Sequence, residues 1–98
     1  MSSDPQILHQ LNELVARLYA ETDGFADNPG DAQLWYNRGY ANGMVRALIE
    51  LGQGETVTVA PDPEDIVAGQ EMLAWGKAYL HGMETGYRET FEVLPATE

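Results

Sequence analysis

Trp35-Tyr36-Asn37-Arg38-Gly39-Tyr40-Ala41-Asn42-Gly43-Met44 is answered 39 residues later by Ala74-Trp75-Gly76-Lys77-Ala78-Tyr79-Leu80-His81-Gly82-Met83. At that offset aromatic Tyr36 matches Trp75, basic Arg38 matches Lys77, and small Gly39 matches Ala78. Tyr40, Gly43 and Met44 match Tyr79, Gly82 and Met83. Gly39 and Gly43 stand one helical turn apart, as do Ala78, Gly82 and Gly86, so each stretch carries a strip where another helix can approach closely. The reading is of a weak internal repeat at 35–44 and 74–83 that serves helix packing rather than chemistry. Tyr36, Gly39, Tyr40, Gly43, Trp75, Tyr79, Gly82 and Gly86 are the expected packing or oligomer-interface residues.

Glycine inside a helix costs roughly 1 kcal/mol relative to alanine. Six helical glycines (Gly39, Gly43, Gly69, Gly76, Gly82, Gly86) would cost about 5 kcal/mol, comparable with the whole stability of a small domain. Close packing has to offset that cost.

Around this centre the sequence predicts an all-α, compact three-helix fold. Asp4-Pro5 and the recurrence of Ile7, Leu8, Leu11, Leu14, Val15 and Leu18 predict a helix over 5–21. A loop rich in Asp, Gly and Pro follows, anchored by Phe25. The second helix is expected over 31–51, apolar nearly all the way round, with Gly52 closing it. Glu55-Thr56-Val57-Thr58-Val59 alternates but is too short for a sheet, so it reads as an extended linker, or as a strand that pairs only with a symmetry mate. Asp62-Pro63-Glu64-Asp65 has the form of a helix start, and Ile66, Leu73, Leu80, Tyr87 and Leu94 repeat every seven residues. A long C-terminal helix over 63–92 is the consequence.

The 98 residues suit one domain, residues 1–98, and 44% apolar content fills one modest core. The absence of cysteine removes disulfides, thiolate nucleophiles and cysteine-ligated zinc. No signal peptide or membrane span is read, which gives a cytoplasmic expectation. Sixteen acidic residues oppose five basic ones, for a net charge of −11. That balance repels nucleic acid and anionic lipid, so neither direct nucleic-acid binding nor a membrane partner is expected. The acids gather before and after the second helix: residues 52–65 hold four acids and no base, whereas residues 32–51 hold one acid and two bases.

Chemistry-bearing constellations are sparse. His9 with Glu13 and His81 with Glu84 share helix faces, yet each is half a metal site at most. No serine sits in a nucleophile elbow, and Gly39-Tyr40-Ala41-Asn42-Gly43 lacks the strand and lysine of a phosphate loop. Neither a cofactor nor a metal is expected, and the chain reads as non-enzymatic. Tyr36 with Tyr40 and Trp75 with Tyr79 pack as rings across an interface, with the Arg38 and Lys77 stems beside them meeting nearby acids.

Arg38-Gly39-Tyr40-Ala41-Asn42-Gly43 resembles, over six residues, the basic glycine-containing helix of ribosome modulation factors. The resemblance implies an RNA partner for those proteins, and the opposite charge of this chain keeps ribosome binding from being carried over.

The functional expectation is a protein-binding module of the small phage-inhibitor or nucleic-acid-mimic kind, occupying a basic surface on its target. Asp23, Asp27, Asp31, Glu55, Glu64 and Asp65 are the expected partner-binding residues. Asp62 belongs to the same acidic set, with a helix-start role as its simpler explanation. The alternative is a homo-oligomeric structural or accessory subunit. A homodimer is expected in either case, because the second and third helices present more apolar face than one three-helix chain can cover.

Overall fold

The computed structural model describes residues 5–62 and 66–94, and the fold is all-α. Helix α1 spans Pro5–Glu21, α2 spans Ala32–Glu50 and α3 spans Ala74–Val93, with short 3-10 turns at Phe25–Asp27 and Gly54–Thr56. Among the described residues there is no strand, and 57–60 runs as an irregular segment.

Helix α1 buries Val15 against Met44, Val45, Leu48 and Leu94, with Leu8, Leu11, Leu14 and Leu18 packed around them. Its end lies near the start of α2, where Arg38 bonds to Tyr19 and Thr22, so α1 and α2 run antiparallel. Asp31 caps α2 by accepting a hydrogen bond from the Leu34 N–H at 3.0 Å. At the other end Gly52 adopts φ 83°, the left-handed geometry that lets the chain turn out of the helix.

Helix α3 packs along α2 with the two chains parallel. A Cβ on Gly39 would overlap the Tyr79 carbonyl, and one on Gly43 would overlap the Met83 carbonyl. In the reverse sense, Cβ atoms on Gly82 and Gly86 would overlap the carbonyls of Tyr36 and Tyr40. The contacts advance together along both helices, which fixes the parallel sense. They also relate α2 to α3 by an approximate two-fold in which Tyr36, Gly39 and Gly43 correspond to Tyr79, Gly82 and Gly86. The spatial correspondence is therefore an offset of 43 residues, one helical turn beyond the 39-residue offset of the sequence match. Identity of side chains favours 39, but backbone approach requires glycine opposite carbonyl, and only 43 supplies that on both helices.

Parallel helices need a crossover, and residues 51–73 provide it. The expected helix over 63–92 starts too early: the described residues 66–73 form turns, and α3 begins at Ala74. Gly69 has φ 79° and Leu73, preceding the helix, is extended with ψ 155°. The chain folds back so closely that a Cβ on Gly76 would overlap the Gln70 carbonyl, and Trp75 Nε1 donates to Gln70 Oε1 at 3.3 Å. Of the residues in the heptad pattern, Ile66 packs with its buried neighbour Val67 against Phe25, Trp35 and Tyr79 in a second cluster, whereas Leu73 is 42% exposed. Burial was legible at Ile66 and not at Leu73, and helical conformation was legible at neither.

Both sides of α2 are thus covered within one chain. Trp35, Ala41, Met44, Val45, Ala47 and Leu48 are all buried. This accounts for the apolar residues around the whole helix, the pattern that motivates a dimer from sequence alone.

Candidate functional site

The most organised polar constellation lies where the crossover meets α1 and α2. Arg38 Nε donates to Asp62 Oδ2 and Nη2 donates to Oδ1, each at 3.0 Å, a two-point ion pair with side chains 14% and 7% exposed. The remaining guanidinium nitrogen donates to the Thr22 hydroxyl at 3.1 Å and the Tyr19 carbonyl at 3.3 Å. The guanidinium lies over the Tyr19 ring, 3.9 Å from its centroid, and 5.0 Å from that of Phe25. Tyr79 donates its hydroxyl to Asp62 Oδ2 at 2.8 Å.

Asn42, buried in α2, completes the node. Its Oδ1 accepts from the Asp62 N–H at 2.9 Å and from the Tyr19 hydroxyl at 3.0 Å, while Nδ2 faces Met83 Sδ at 3.7 Å. Burial, and then the Asp62 charge, pushes the Tyr19 hydroxyl up to about 12; burial followed by its hydrogen bond to Asp62 raises Tyr79 further. These groups satisfy one another and leave no free nucleophile or base at the node. It ties α1, α2, α3 and the crossover together.

Asp62 is therefore an internal ion-pair partner. As a start for α3 it is displaced, because that helix begins twelve residues later. Neither Tyr19 nor Asp62 was recognisable as an Arg38 partner from spacing; the one signal was an arginine beside the aromatic pairs of α2, with its charge expected to meet nearby acids.

The expected interface residues fall at the α2–α3 crossing. Gly39, Gly43, Tyr79, Gly82 and Gly86 are buried there, and Tyr36, Tyr40 and Trp75 are half-buried. Trp35 stands edge-on to Phe25 at 4.9 Å and 6.3 Å from Trp75. Tyr40 donates to Glu89 on α3, and burial, followed by that hydrogen bond, raises its hydroxyl to about 12.

The expected partner-binding acids are dispersed. Asp23, Asp27 and Asp31 are all exposed in the connection from α1 to α2. Glu55 is also exposed, but follows the far end of α2, about 28 Å away for nineteen residues at the usual helical rise. Glu64 and Asp65 lie outside the described residues.

His9 and Glu13 approach to 3.3 Å on exposed α1. Among the described residues no group of three or more His, Asp or Glu side chains stands together as metal ligands. His81 is exposed and edge-on to the Tyr36 ring at 5.6 Å. No described helix is long and apolar enough to cross a membrane.

Two open grooves of about 440 Å³ mark the exterior. One runs between α1 and the crossover and is walled by Leu8, Asn12, Ala16, Thr56 and Thr58. The other lies between α2 and α3, where Tyr87 donates to Glu50 at 2.6 Å. No protein-family model, curated protein or solved structure shows a significant match to this chain.

Proposed function

We propose that this chain is a non-enzymatic acidic binding module of the cytoplasm that occupies a basic surface on a protein target, in the manner of a small inhibitor or nucleic-acid mimic. The observation that carries this reading is the disposition of charge. Of the five basic side chains, Arg38 is consumed internally by Asp62, and Arg17 and Arg88 stand beside Glu21 and Glu92 one turn on. Asp23, Asp27 and Asp31 remain exposed together in one connection. A negative exterior of this kind steers a basic partner into encounter and repels phosphate backbones.

The rigid body that presents these carboxylates rests, in this reading, on glycine-mediated close packing of α2 against α3. Four glycines opposite four carbonyls let the two helices approach closely. A structural or accessory homodimer is the second reading. Met72 at 81% and Leu73 at 42% exposure favour it, being large apolar side chains left outside just before α3.

The test is retention of a partner from host lysate on immobilised protein, followed by association rates for the partner with wild type and with Asp23→Lys/Asp27→Lys/Asp31→Lys. Slower association of the variant, and loss of the difference at high salt, supports the acidic module. Equal rates at every salt concentration would remove it.

A further inference from the structure

We infer that the groove between α2 and α3 binds a small zwitterion, a free α-amino acid with an apolar side chain, whose carboxylate is taken by Arg46 and whose ammonium is taken by Glu84. The site is separate from the acidic connection before α2 and does not depend on the acidic-module reading.

Arg46 is the one helical cation left open beside its glutamate. Four times within a helix a basic residue is followed four positions later by glutamate: His9 and Glu13, Arg17 and Glu21, Arg46 and Glu50, Arg88 and Glu92. Three of these pairs close, at 3.3, 4.0 and 3.9 Å. In the other, the Tyr87 hydroxyl on α3 donates to Glu50 Oε1 at 2.6 Å and holds that carboxylate instead. The Arg46 guanidinium makes no hydrogen bond or ion pair with any described residue, and, unlike exposed Arg17 and Arg88, Arg46 is half-buried. Its charge reaches the Tyr19 hydroxyl more weakly than the charges of Asp62 and Arg38 do. A fork of N–H donors partly withdrawn from water gains most from an acceptor with two oxygens.

Its neighbours on α2 fix where this side chain stands. Asn42 and Glu50 lie one turn before and one turn after Arg46, on the same side of the helix. Asn42 Nδ2 faces Met83 Sδ at 3.7 Å and Glu50 meets Tyr87, so Arg46 stands over residues 83–87 of α3. Glu84 belongs to that turn and walls the same groove, exposed and without a bond to any described residue, because Arg88, one turn on, stands beside Glu92. Half-buried Leu80 and Met83 supply the apolar surface between the charges.

The groove holds about 440 Å³, inside the range of roughly 300–1,000 Å³ usual for small-molecule sites. A ligand bearing only a carboxylate would find Arg46 but also the fields of Glu50 and Glu84, on a chain of net charge −11. A ligand bearing only a cation would leave the guanidinium unpaired. A zwitterion answers both charges, and an apolar side chain covers Leu80 and Met83. Tyr87 is a positioning residue here: by holding Glu50 it keeps Arg46 open.

The experiment titrates the full chain, labelled for amide resonances, with L-leucine and L-phenylalanine. N-acetyl-L-leucine removes the ammonium charge, and L-leucinamide removes the carboxylate. We expect leucine or phenylalanine to shift the amides of Arg46 and Glu84 at millimolar concentration, with each masked form bound about tenfold more weakly or worse. Arg46→Met and Glu84→Gln should each weaken the amino acid by a similar factor while the helical circular dichroism is retained, and Arg46→Lys should restore part of the loss. Tyr87→Phe releases Glu50 to close on Arg46 and should also weaken binding, and Tyr87→Phe/Glu50→Gln should recover it, which a merely structural role for Tyr87 would not do.

No shift with either amino acid would overturn the site. Equal binding of N-acetyl-leucine would remove Glu84 from it, equal binding of leucinamide or unchanged affinity in Arg46→Met would remove Arg46, and either result overturns the zwitterion. Shifts confined to residues outside the groove would overturn it too. Each of these outcomes leaves the acidic module standing, since that reading fails only on salt-independent association with a basic partner.

Discussion

Arg38 and Asp62, twenty-four residues apart, are joined at two points inside the protein, and the Tyr79 hydroxyl closes on the same carboxylate. The pair links α2 to a crossover that has no helix or strand of its own at that point. Removing one partner strands the other charge away from water, a larger loss than the pair's net contribution. Asp62→Asn and Arg38→Met should each lower unfolding free energy by about 3 kcal/mol in urea titrations. The double variant Arg38→Met/Asp62→Asn should lose clearly less than the two single effects combined; strict additivity would mean the two side chains act independently.

The α2–α3 crossing has no room for a methyl group at four positions. Gly43→Ala and Gly82→Ala gain about 1 kcal/mol of helix propensity, yet each must push two backbones apart. A net loss of about 1–3 kcal/mol is expected, larger still for Gly43→Leu and Gly82→Leu. Gly30→Ala, with nothing within 4 Å of the added carbon, is the control and should change the melting midpoint little. Equal midpoints for Gly43→Ala and Gly30→Ala would show that the helices separate at no cost.

Stability should fall in alkali before the helices lose intrinsic propensity. Tyr19 and Tyr40 are raised in the folded protein from 10.0 to about 12, and Tyr79 is raised as well. The folded state therefore holds protons that the unfolded chain releases. Their contribution is fully present below pH 10 and disappears as pH climbs through 10 to about 12. Urea midpoints measured from pH 8 to 12 should decline in that window, and Tyr79→Phe should flatten part of the decline. A midpoint constant to pH 12 contradicts it.

A net charge of −11 on a small domain also predicts a salt response. Self-repulsion among exposed carboxylates is screened over about 8 Å at physiological ionic strength, whereas the buried Arg38–Asp62 pair is screened much less. The melting temperature should rise between 10 and roughly 150 mM sodium chloride. A fall would mean that exposed pairs such as Arg17 with Glu21 matter more than the surplus of acid.

Asp31 offers a local test. Its side chain accepts the Leu34 N–H, so Asp31→Ala should cost about 1 kcal/mol, whereas Asp31→Asn should cost far less. Equal losses in thermal unfolding would assign the effect to charge rather than to the cap. The distinction matters because Asp31 is also one of the exposed acids proposed to meet a partner.

Helices α1 and α2 were legible because their signals are local. The apolar spacing from Ile7 to Leu18 repeats with the helical period, and Gly52 and Asp31 sit where helix ends require them. The start of α3 was not legible. Asp62-Pro63 has every local mark of a helix start, but a local mark does not register that Arg38 lies within reach of the same carboxylate. Likewise Ile66 and Val67 supply apolar spacing whether they are helical or, as found, folded in turns over Trp35 and Tyr79. The glycines announced a close approach, while the parallel sense and the 43-residue correspondence came only with the crossover that places Tyr36 opposite Gly82. By itself the sequence determined the charge and the all-helical, three-helix class. Tertiary structure decided which glycine meets which carbonyl and which acid is buried, because those depend on contacts between residues far apart in the chain.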